Sequence, residues 1–219
     1  MNKQLIVGFA TEGKTDVRFL ESVIQRSFED IAFECRDQIE VLPLQHIRKV
    51  SGDFISTVKI YSQKAEELGI MILCIHTDAD SSEDTNAFED KINPAFSEIK
   101  QSTTDFCKNL IAVVPVRMTE AWMLADKNLL KNEIGTQKTD QELNINKNPE
   151  SFSDPKKSLE DAIRIAQQDL TKRKRRNLTI GELYLPIGQK ISIAQLDSLP
   201  SFWKFKEAIK AVFKDIKYV

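Results

Sequence analysis

Residues 70–80 read Ile-Met-Ile-Leu-Cys-Ile-His-Thr-Asp-Ala-Asp. Six consecutive apolar residues are typical of a parallel β-strand that helices cover on both faces. Asp78 and Asp80 follow this predicted strand, and ligands of open α/β sheets bind near the carboxyl ends of the strands. On an extended chain the two carboxylates would point the same way and suit Mg²⁺ or Mn²⁺. Alternatively, Asp78 begins a turn and Asp80 caps the next helix.

Apolar runs elsewhere predict three further strands, and segments of helical periodicity lie between the strands. The strands are expected at residues 5–10, 39–44, 70–75 and 110–116, and the helices between them at residues 15–28, 54–68 and 88–100. Pro94 is expected to break the last of these helices. This alternation predicts an α/β fold with a mostly parallel, four-stranded core sheet flanked by helices.

The second part of the sequence predicts a mainly helical C-terminal extension packed on the core. Residues 128–153 are polar and are expected to form a loop, and a helix is expected from Ser153-Asp154-Pro155 to about residue 170. Residues 202–213 have the spacing of an amphipathic helix. We therefore divide the chain into a core at residues 1–127 and an extension at residues 128–219.

Composition excludes several classes of protein. The 219 residues are 41% hydrophobic and carry a formal net charge of −2, which argues against a generally basic nucleic-acid coat. No apolar run has the length of a membrane span or the form of a secretory signal. The three cysteines have neither zinc-site spacing nor an obvious disulfide pattern. These features predict a cytoplasmic protein with no membrane partner.

Two more acidic residues are expected at the same edge of the sheet. Glu12 lies between the first strand and the first helix, with Thr15 as the expected N-cap, and Glu120 follows the fourth strand in a short helix that Thr119 is expected to cap. Either glutamate could simply favour a helix N-terminus. Lys14 is either a surface lysine or a group that neutralises phosphate.

The densest positive charge is the run Lys172, Arg173, Lys174, Arg175 and Arg176. Such a run suits contacts with nucleic-acid phosphates. It is equally typical of a solvated helix end, because cations favour the carboxyl terminus of a helix.

Several motifs, in this order, carry a resemblance to a known fold. They are Glu-Gly-Lys-Thr-Asp at 12–16, His-Thr-Asp-Ala-Asp at 76–80, Pro-Val-Arg-Met-Thr-Glu-Ala-Trp-Met-Leu-Ala-Asp at 115–126, Asn-Pro-Glu at 148–150 and Asp-Pro-Lys-Lys-Ser-Leu at 154–159. The first two resemble the TOPRIM fold of topoisomerases, bacterial primases and OLD-type (overcoming-lysogenisation-defect) nucleases. The full set resembles a small family of stand-alone TOPRIM-like proteins usually grouped with the OLD-type nucleases.

This resemblance implies a TOPRIM-like (Rossmann-like) fold and a role for each matching acid. Glu12 would be a metal ligand or general acid/base, Asp78 and Asp80 would be the metal-binding pair, and Glu120 would supply a further acid. Ser81 departs from the pattern, since a glycine often follows Asp-x-Asp there. The chain shows no ATPase domain, topoisomerase tyrosine domain or primase zinc module.

Together these features predict a metal-dependent nuclease that hydrolyses the phosphodiester bonds of DNA. Its cofactor would be Mg²⁺ or Mn²⁺. Glu12, Asp78, Asp80 and either Glu120 or Glu83 would hold the metal, because a divalent ion stabilises clustered carboxylates. Lys14 or Arg117 would stabilise charge in the transition state, and the basic run would follow the nucleic-acid backbone. His76 would either orient an aspartate or lie in the core.

Other functions fit parts of the same pattern. A non-catalytic TOPRIM-like module could bind nucleic acid or protein, and Asp-x-Asp after an apolar strand also occurs in nucleotide-sugar transferases. The family resemblance implies defence against phage or mobile elements as a setting, with an ATPase or another defence protein as partner.

Overall fold

Parallel β-strands form the centre of the fold, in a computed structural model that describes residues 3–35, 37–168 and 178–217. Within these residues, four strands pair in the order β4-β2-β5-β6 and two more form a separate parallel pair, β1-β3. The strands are β1 (Lys3–Leu5), β2 (Val7–Ala10), β3 (Ile39–Val41), β4 (Gln45–His46), β5 (Ile72–His76) and β6 (Leu110–Val113). Each neighbouring pair in the four-stranded sheet is parallel, which confirms the predicted α/β architecture.

Helices cover both faces of the four-stranded sheet. They are α1 (Lys14–Glu34), α2 (Phe54–Glu67), α3 (Asn93–Gln101), α4 (Thr119–Met123), α5 (Lys127–Ile134), α6 (Pro155–Gln168), α7 (Tyr184–Lys190), α8 (Ile193–Leu196) and α9 (Pro200–Asp215). Side chains of β5 alternate between the two faces, as the pleat of a strand requires. Ile72 and Cys74 pack with α1 and the later helices, whereas Leu73 and Ile75 pack with α2 and α3.

The strand order places a topological switch point between β2 and β5. The chain runs from β2 to β4 on one side and then returns to form β5 on the other side of β2. Loops that leave the carboxyl ends of β2 and β5 therefore diverge and open a crevice between them. Glu12 and Asp78, the predicted site residues that follow these two strands, lie at this crevice.

The first predicted strand is divided in the structure, and the second, predicted at residues 39–44, is a strand only at Ile39–Val41, with β4 just beyond its predicted end. β1 and β2 are separated at Ile6, whose carbonyl oxygen accepts a hydrogen bond from Met71. β3 and β4 are separated by a segment that includes Pro43, which lacks the N–H needed for a strand ladder.

The helix predicted at residues 54–68 is confirmed as α2. The helical spacing of its apolar residues also predicts that Ile60 and Leu68 face inward, and this prediction is wrong. Ile60 is exposed because it lies two residues, about 200° of helical rotation, beyond the buried Val58. Leu68 follows the last residue of the helix and is also exposed. Gly69 adopts a φ of 69°, which suits the predicted helix end.

Pro94 does not break the helical segment in which it lies. Ala87–Ile92 forms a π-helix that continues directly into α3, and the N–H of Asn93 bonds to the carbonyl of Phe88, five residues earlier. The prediction of a break was wrong because a π-helical turn precedes the proline.

The loop predicted at residues 128–153 contains a helix that the prediction missed. α5 begins after Asp126, whose carboxylate accepts the N–H of Leu129 at 2.9 Å, and it ends at Gly135, where φ is 78°. Both are standard helix boundary signals. The short 3₁₀-helix Pro149–Ser151 follows before α6.

Helices from both sides of residue 127 contribute to one hydrophobic core. Phe202 and Phe205 of α9 lie beside Trp122 of α4, with ring centroids 5.1 and 6.3 Å from the tryptophan ring. α7 crosses α1 closely, since a Cβ on Gly188 would lie only 2.6 Å from the carbonyl oxygen of Phe19. The described part of the extension is therefore packed on the sheet, while the division into two domains stays a prediction.

None of the helices in the described ranges combines the length and the apolarity that crossing a membrane would require.

Candidate functional site

Glu12 is held in place by three hydrogen bonds, two of which come from residues at the end of β5. Thr77 donates its hydroxyl hydrogen to Glu12 Oε2 at 2.8 Å, and the Glu12 N–H donates to Nδ1 of His76 at 3.4 Å. Lys49 Nζ donates to the carbonyl oxygen of Glu12 at 2.5 Å. The Glu12 side chain, which is exposed, is thus fixed at the switch point between β2 and β5.

Asp78 is half-buried and joins β5 to the start of α4. Its Oδ1 accepts the N–H of Thr119 at 3.0 Å and lies 3.3 Å from Nε2 of His76. The Thr119 hydroxyl lies 3.1 Å from the same histidine nitrogen. Thr119 is the first residue of α4, whose N-cap is Met118, so the prediction that Thr119 caps this helix was wrong.

The sequence predicted that His76 would either lie in the core or orient an aspartate. In the structure it is buried and also contacts Asp78. Burial alone would lower the pKa of its imidazole. The hydrogen bond to Asp78, and the charges of Asp78 and two other carboxylates, nevertheless raise this pKa above its ordinary value of 6.5.

Asp16 was not predicted as a site residue. Its buried carboxylate accepts the N–H of Gly13 at 3.0 Å, and a Cβ at Gly13 would lie 2.3 Å from the same oxygen. Glycine is therefore required at position 13 for this close approach. Gly13 is the N-cap of α1, so the prediction that Thr15 caps this helix was wrong. Burial raises the pKa of Asp16 above 3.8, and the negative charge of Asp78 raises it further.

Glu120 is buried at the start of α4, and its Oε1 accepts a hydrogen bond from the hydroxyl of Tyr184 on α7. Burial is the main cause that raises the pKa of Glu120 above 4.5, and repulsion from Asp78 and Asp16 adds to it. Burial and the Glu120 charge likewise raise the pKa of Tyr184. We call Asp16, Asp78 and Glu120 the acid cluster.

Asp80 lies at the protein surface. Its side chain is 71% exposed, and its Oδ2 lies 3.9 Å from Lys91 Nζ, a weak contact. The chain is not extended at Asp80, whose φ is 54°, so the extended geometry on which the common direction of Asp78 and Asp80 was predicted is not found.

Arg117 lies beside Asp80 through backbone contacts. The Asp80 N–H donates to the Arg117 carbonyl at 2.9 Å, and the Arg117 N–H donates to the Ser81 carbonyl at 3.0 Å. Arg117 has a φ of 64°, in the left-handed region that Asp80, Asn144 and Lys217 also adopt among the described residues. Among the described residues, its buried Nε has no hydrogen-bond partner.

The remaining predicted site residues lie outside this arrangement. Lys14 is the exposed first residue of α1, and Glu83 is exposed in the loop after Asp80. Asp84, in the same loop, instead forms a partly buried ion pair with Lys204. The basic run Lys172, Arg173, Lys174, Arg175 and Arg176 lies outside the described residues.

The carboxylates of the site fit a divalent cation by their chemistry, since hard oxygen donors are what Mg²⁺ and Mn²⁺ prefer. In the part of the chain that the structure describes, however, no three His, Cys, Asp or Glu side chains are arranged as a metal site. Hydrogen bonds from Thr77, Thr119 and Tyr184 hold the carboxylates instead.

Sequence signals for some of the missed residues were present. Asp16 ends the Glu-Gly-Lys-Thr-Asp motif, and Thr77 precedes Asp78 in the second motif. Tyr184 had no such signal, because it contacts Glu120 from 64 residues away.

Comparisons with known proteins give a family but no function. A search of curated proteins found no match, and a search of solved structures also found none. One protein-family model, described as "Domain of unknown function (DUF4276)", matches residues 11–210. Because the match covers most of the sequence, this chain belongs to the DUF4276 family.

Proposed function

We propose that this protein is a metal-dependent nuclease of TOPRIM-like fold, related to the OLD-type nucleases, that hydrolyses phosphodiester bonds in DNA. One observation carries the proposal: acidic side chains from separate parts of the sequence meet at the switch point of a parallel sheet. Glu12 follows β2 and Asp78 follows β5, and hydrogen bonds through Thr77 and His76 connect them. This crevice is where open α/β sheets bind their ligands.

The charges at the site support a divalent cofactor. Asp16 and Glu120 each have a pKa raised by burial and by the charge of Asp78, so the folded chain holds these carboxyls close at a cost in free energy. A bound Mg²⁺ or Mn²⁺ would offset that cost and would polarise a phosphodiester oxygen and activate water. Glu12, Asp78 and Glu120 would hold it, with Asp16 behind them and Asp80 at the rim.

The protein's own residues would position the reacting groups. Thr77 restricts the exposed Glu12 carboxylate, which is suited to accept a proton from the attacking water. His76 restricts Asp78 from the buried side. Arg117 lies beside Asp80, and its guanidinium group is suited to contact a phosphate oxygen.

A second function remains as an alternative because of one observation. The carboxylates of the described residues are engaged by hydroxyl and amide donors rather than arranged around a metal position. A module that binds nucleic acid or a partner protein without catalysis fits this arrangement. In either case, an ATPase or another defence protein stays a proposed partner, on the family resemblance alone.

Cleavage assays with purified protein test the proposal. Plasmid and single-stranded DNA would be incubated with Mg²⁺, with Mn²⁺ and with EDTA, using the parent chain, Asp78→Ala and the exposed-surface control Asp105→Ala. We expect cleavage that depends on the divalent ion, that falls at least a hundredfold in Asp78→Ala and that is unchanged in the control.

Two results would decide against the nuclease. Equal cleavage by Asp78→Ala and by the parent would assign the activity to a contaminant. Salt-dependent DNA binding that needs no metal and leads to no cleavage would favour the non-catalytic module.

A further inference from the structure

A pocket of about 220 Å³ lies between the carboxyl ends of β2 and β5 and helix α2. Glu12 and His76 form part of its wall, so it opens directly onto the proposed site. Its volume is below the range of about 300–1,000 Å³ that is usual for sites of drug-sized ligands. The pocket is therefore suited to one small group rather than to a wide double helix.

Two lysines line this pocket, Lys49 from the loop between β4 and α2 and Lys91 from the π-helix Ala87–Ile92. Lys49 Nζ donates to the Glu12 carbonyl, and Lys91 Nζ lies 3.4 Å from the Thr77 hydroxyl and 3.9 Å from Asp80. Each ammonium group has three N–H donors, so both lysines retain donors for an anionic ligand. Their positions beside Glu12 and Thr77 place positive charge where a phosphate would approach the carboxylates.

The opposite wall of the pocket is largely apolar. It is formed by Phe54, Val58 and Tyr61 of α2, with the Thr57 hydroxyl among them. Tyr61 is fixed in place because its hydroxyl oxygen accepts the N–H of Val50 at 3.3 Å. Apolar and aromatic surfaces beside cationic side chains are the combination that binds unstacked bases of single-stranded nucleic acid.

We infer that this pocket receives the base of one unstacked nucleotide of a single nucleic-acid strand, against Phe54, Val58 and Tyr61, while the phosphate of that nucleotide contacts Lys49 and Lys91. The neighbouring phosphodiester would then lie at Glu12. The inference rests on the proposed function for its choice of ligand, since Glu12 and Asp78 are what would act on that phosphodiester. In a duplex the bases are stacked and paired, so they cannot enter without being flipped out.

Binding can be measured separately from cleavage by an NMR titration of ¹⁵N-labelled full-length protein in EDTA. The probes are a thymidine tetranucleotide, thymidine 5′-monophosphate and a blunt DNA hairpin. We expect the tetranucleotide to shift the amide signals of Val50, Gly52 and Thr57, and to bind at least tenfold more tightly than either other probe. Equal binding of the hairpin, or of the mononucleotide, would overturn the inference of a single-strand site.

Substitutions test which walls of the pocket bind the strand. Lys49→Ala and Lys91→Ala are each expected to raise the Kd for the tetranucleotide about tenfold, because each removes a charged contact with phosphate. Thr57→Phe, which fills the pocket, should abolish the shifts at Val50 and Gly52. Lys64→Ala, an exposed lysine elsewhere on α2, is the charge-matched control and should bind as the parent does. An unchanged Kd in both Lys49→Ala and Lys91→Ala would contradict the inference.

The NMR titration and the cleavage assay test the inference and the proposed function separately. If the tetranucleotide binds in the pocket but no DNA is cleaved, the inference stands and the nuclease proposal fails. If DNA is cleaved but the tetranucleotide leaves the pocket amides unshifted, the nuclease stands and the inference fails.

Discussion

The Thr77 hydroxyl donates a hydrogen bond to the Glu12 carboxylate at 2.8 Å, across 65 residues of sequence. This bond joins the loops that leave β2 and β5 at the switch point of the sheet. Thr77 is buried, whereas Glu12 is exposed, so the rigid strand end restricts a side chain that would otherwise be free to move. Glu12 is thereby kept beside Asp78.

We expect Thr77→Val to reduce DNA cleavage about tenfold while it lowers the free energy of unfolding by only about 1–2 kcal/mol. The change keeps the shape of the side chain but removes the hydroxyl that positions Glu12. Cleavage rates and urea unfolding would be compared with those of Thr104→Val, a control at an exposed position. A rate equal to that of the parent would show that Glu12 does not depend on Thr77.

Asp16 should make the folded state less stable as the pH rises. Its pKa is raised above 3.8 by burial first and by Asp78 as well, so the folded chain keeps this proton at pH values where the unfolded chain has lost it. Stability contributed by the protonated carboxyl is therefore lost as the pH rises from about 3.8 through the folded-state pKa. Asp16→Asn removes this loss and should gain stability over the parent across that window.

The measurement is urea unfolding from acid to neutral pH in EDTA. Asp37→Asn is the control, because its effect on stability should change with pH in the opposite direction. The hydrogen bond and the charge of Lys3 hold the pKa of Asp37 below 3.8, so this group adds stability as the pH rises. Relative to the parent, Asp37→Asn should therefore lose stability as the pH rises. If the two variants show the same pH trend, the account of Asp16 is wrong.

Glu150 supports the start of α9 and, through it, the tryptophan behind the acid cluster. Its carboxylate accepts the N–H of Ser201 at 3.1 Å and the Ser201 hydroxyl, which in turn accepts the indole N–H of Trp122 at 2.7 Å. We expect Glu150→Ala to cost roughly 1–3 kcal/mol and to lower the Tm by roughly 3–10 °C, because it leaves buried donors without an acceptor.

Differential scanning calorimetry would measure this loss, and Glu160→Ala on the exposed face of α6 provides the control. In a Trp203→Phe background, Trp122 is the one tryptophan left, and its fluorescence should change in Glu150→Ala. An unaltered Tm and emission spectrum would mean that the Asn-Pro-Glu motif does not support α4.

Lys204 anchors the loop after Asp80 to α9. Its ammonium lies 2.7 Å from both carboxylate oxygens of Asp84, which is buried, while the lysine itself is half-exposed. With solvent screening at the lysine taken into account, Lys204→Ala should cost about 1–2 kcal/mol, chiefly because Asp84 loses its partner.

A double-mutant cycle with Asp84→Asn tests this interpretation by urea unfolding. The double variant should recover part of the loss, since a neutral side chain no longer needs the lysine. Lys210→Ala, which breaks an exposed pair with Glu207, should change stability by less than about 0.5 kcal/mol. If the free-energy changes of Lys204→Ala and Asp84→Asn simply add in the double variant, the ion pair does not anchor the loop.

The sequence was sufficient to predict the sheet and the two strand ends at the site. The apolar run before Asp78 indicated a buried strand, and parallel strands bring their carboxyl ends to one edge, which places Glu12 near Asp78. The signals for α5 were also present, at Asp126 and Gly135, but the polar composition of the segment outweighed them.

Other features depend on contacts that no local pattern indicates. The chain leaves the extended conformation at Asp80, whose N–H bonds to the carbonyl of Arg117, a residue that follows a different strand. Glu120 is buried by Tyr184, and Asp16 is buried beside Gly13, so their raised pKa values arise from packing rather than from sequence spacing. Tertiary packing also decides which face of α2 is covered and leaves Ile60 exposed.

A crystal soaked in Mn²⁺ provides the most direct test that these acids hold a divalent ion. Anomalous diffraction would locate bound manganese without any assumption about the substrate. We expect a peak between Glu12 and Asp78, within reach of Glu120, that is absent from crystals of Asp78→Asn. If fully soaked crystals show no anomalous peak at these side chains, or show manganese only elsewhere on the surface, the proposed metal centre is contradicted.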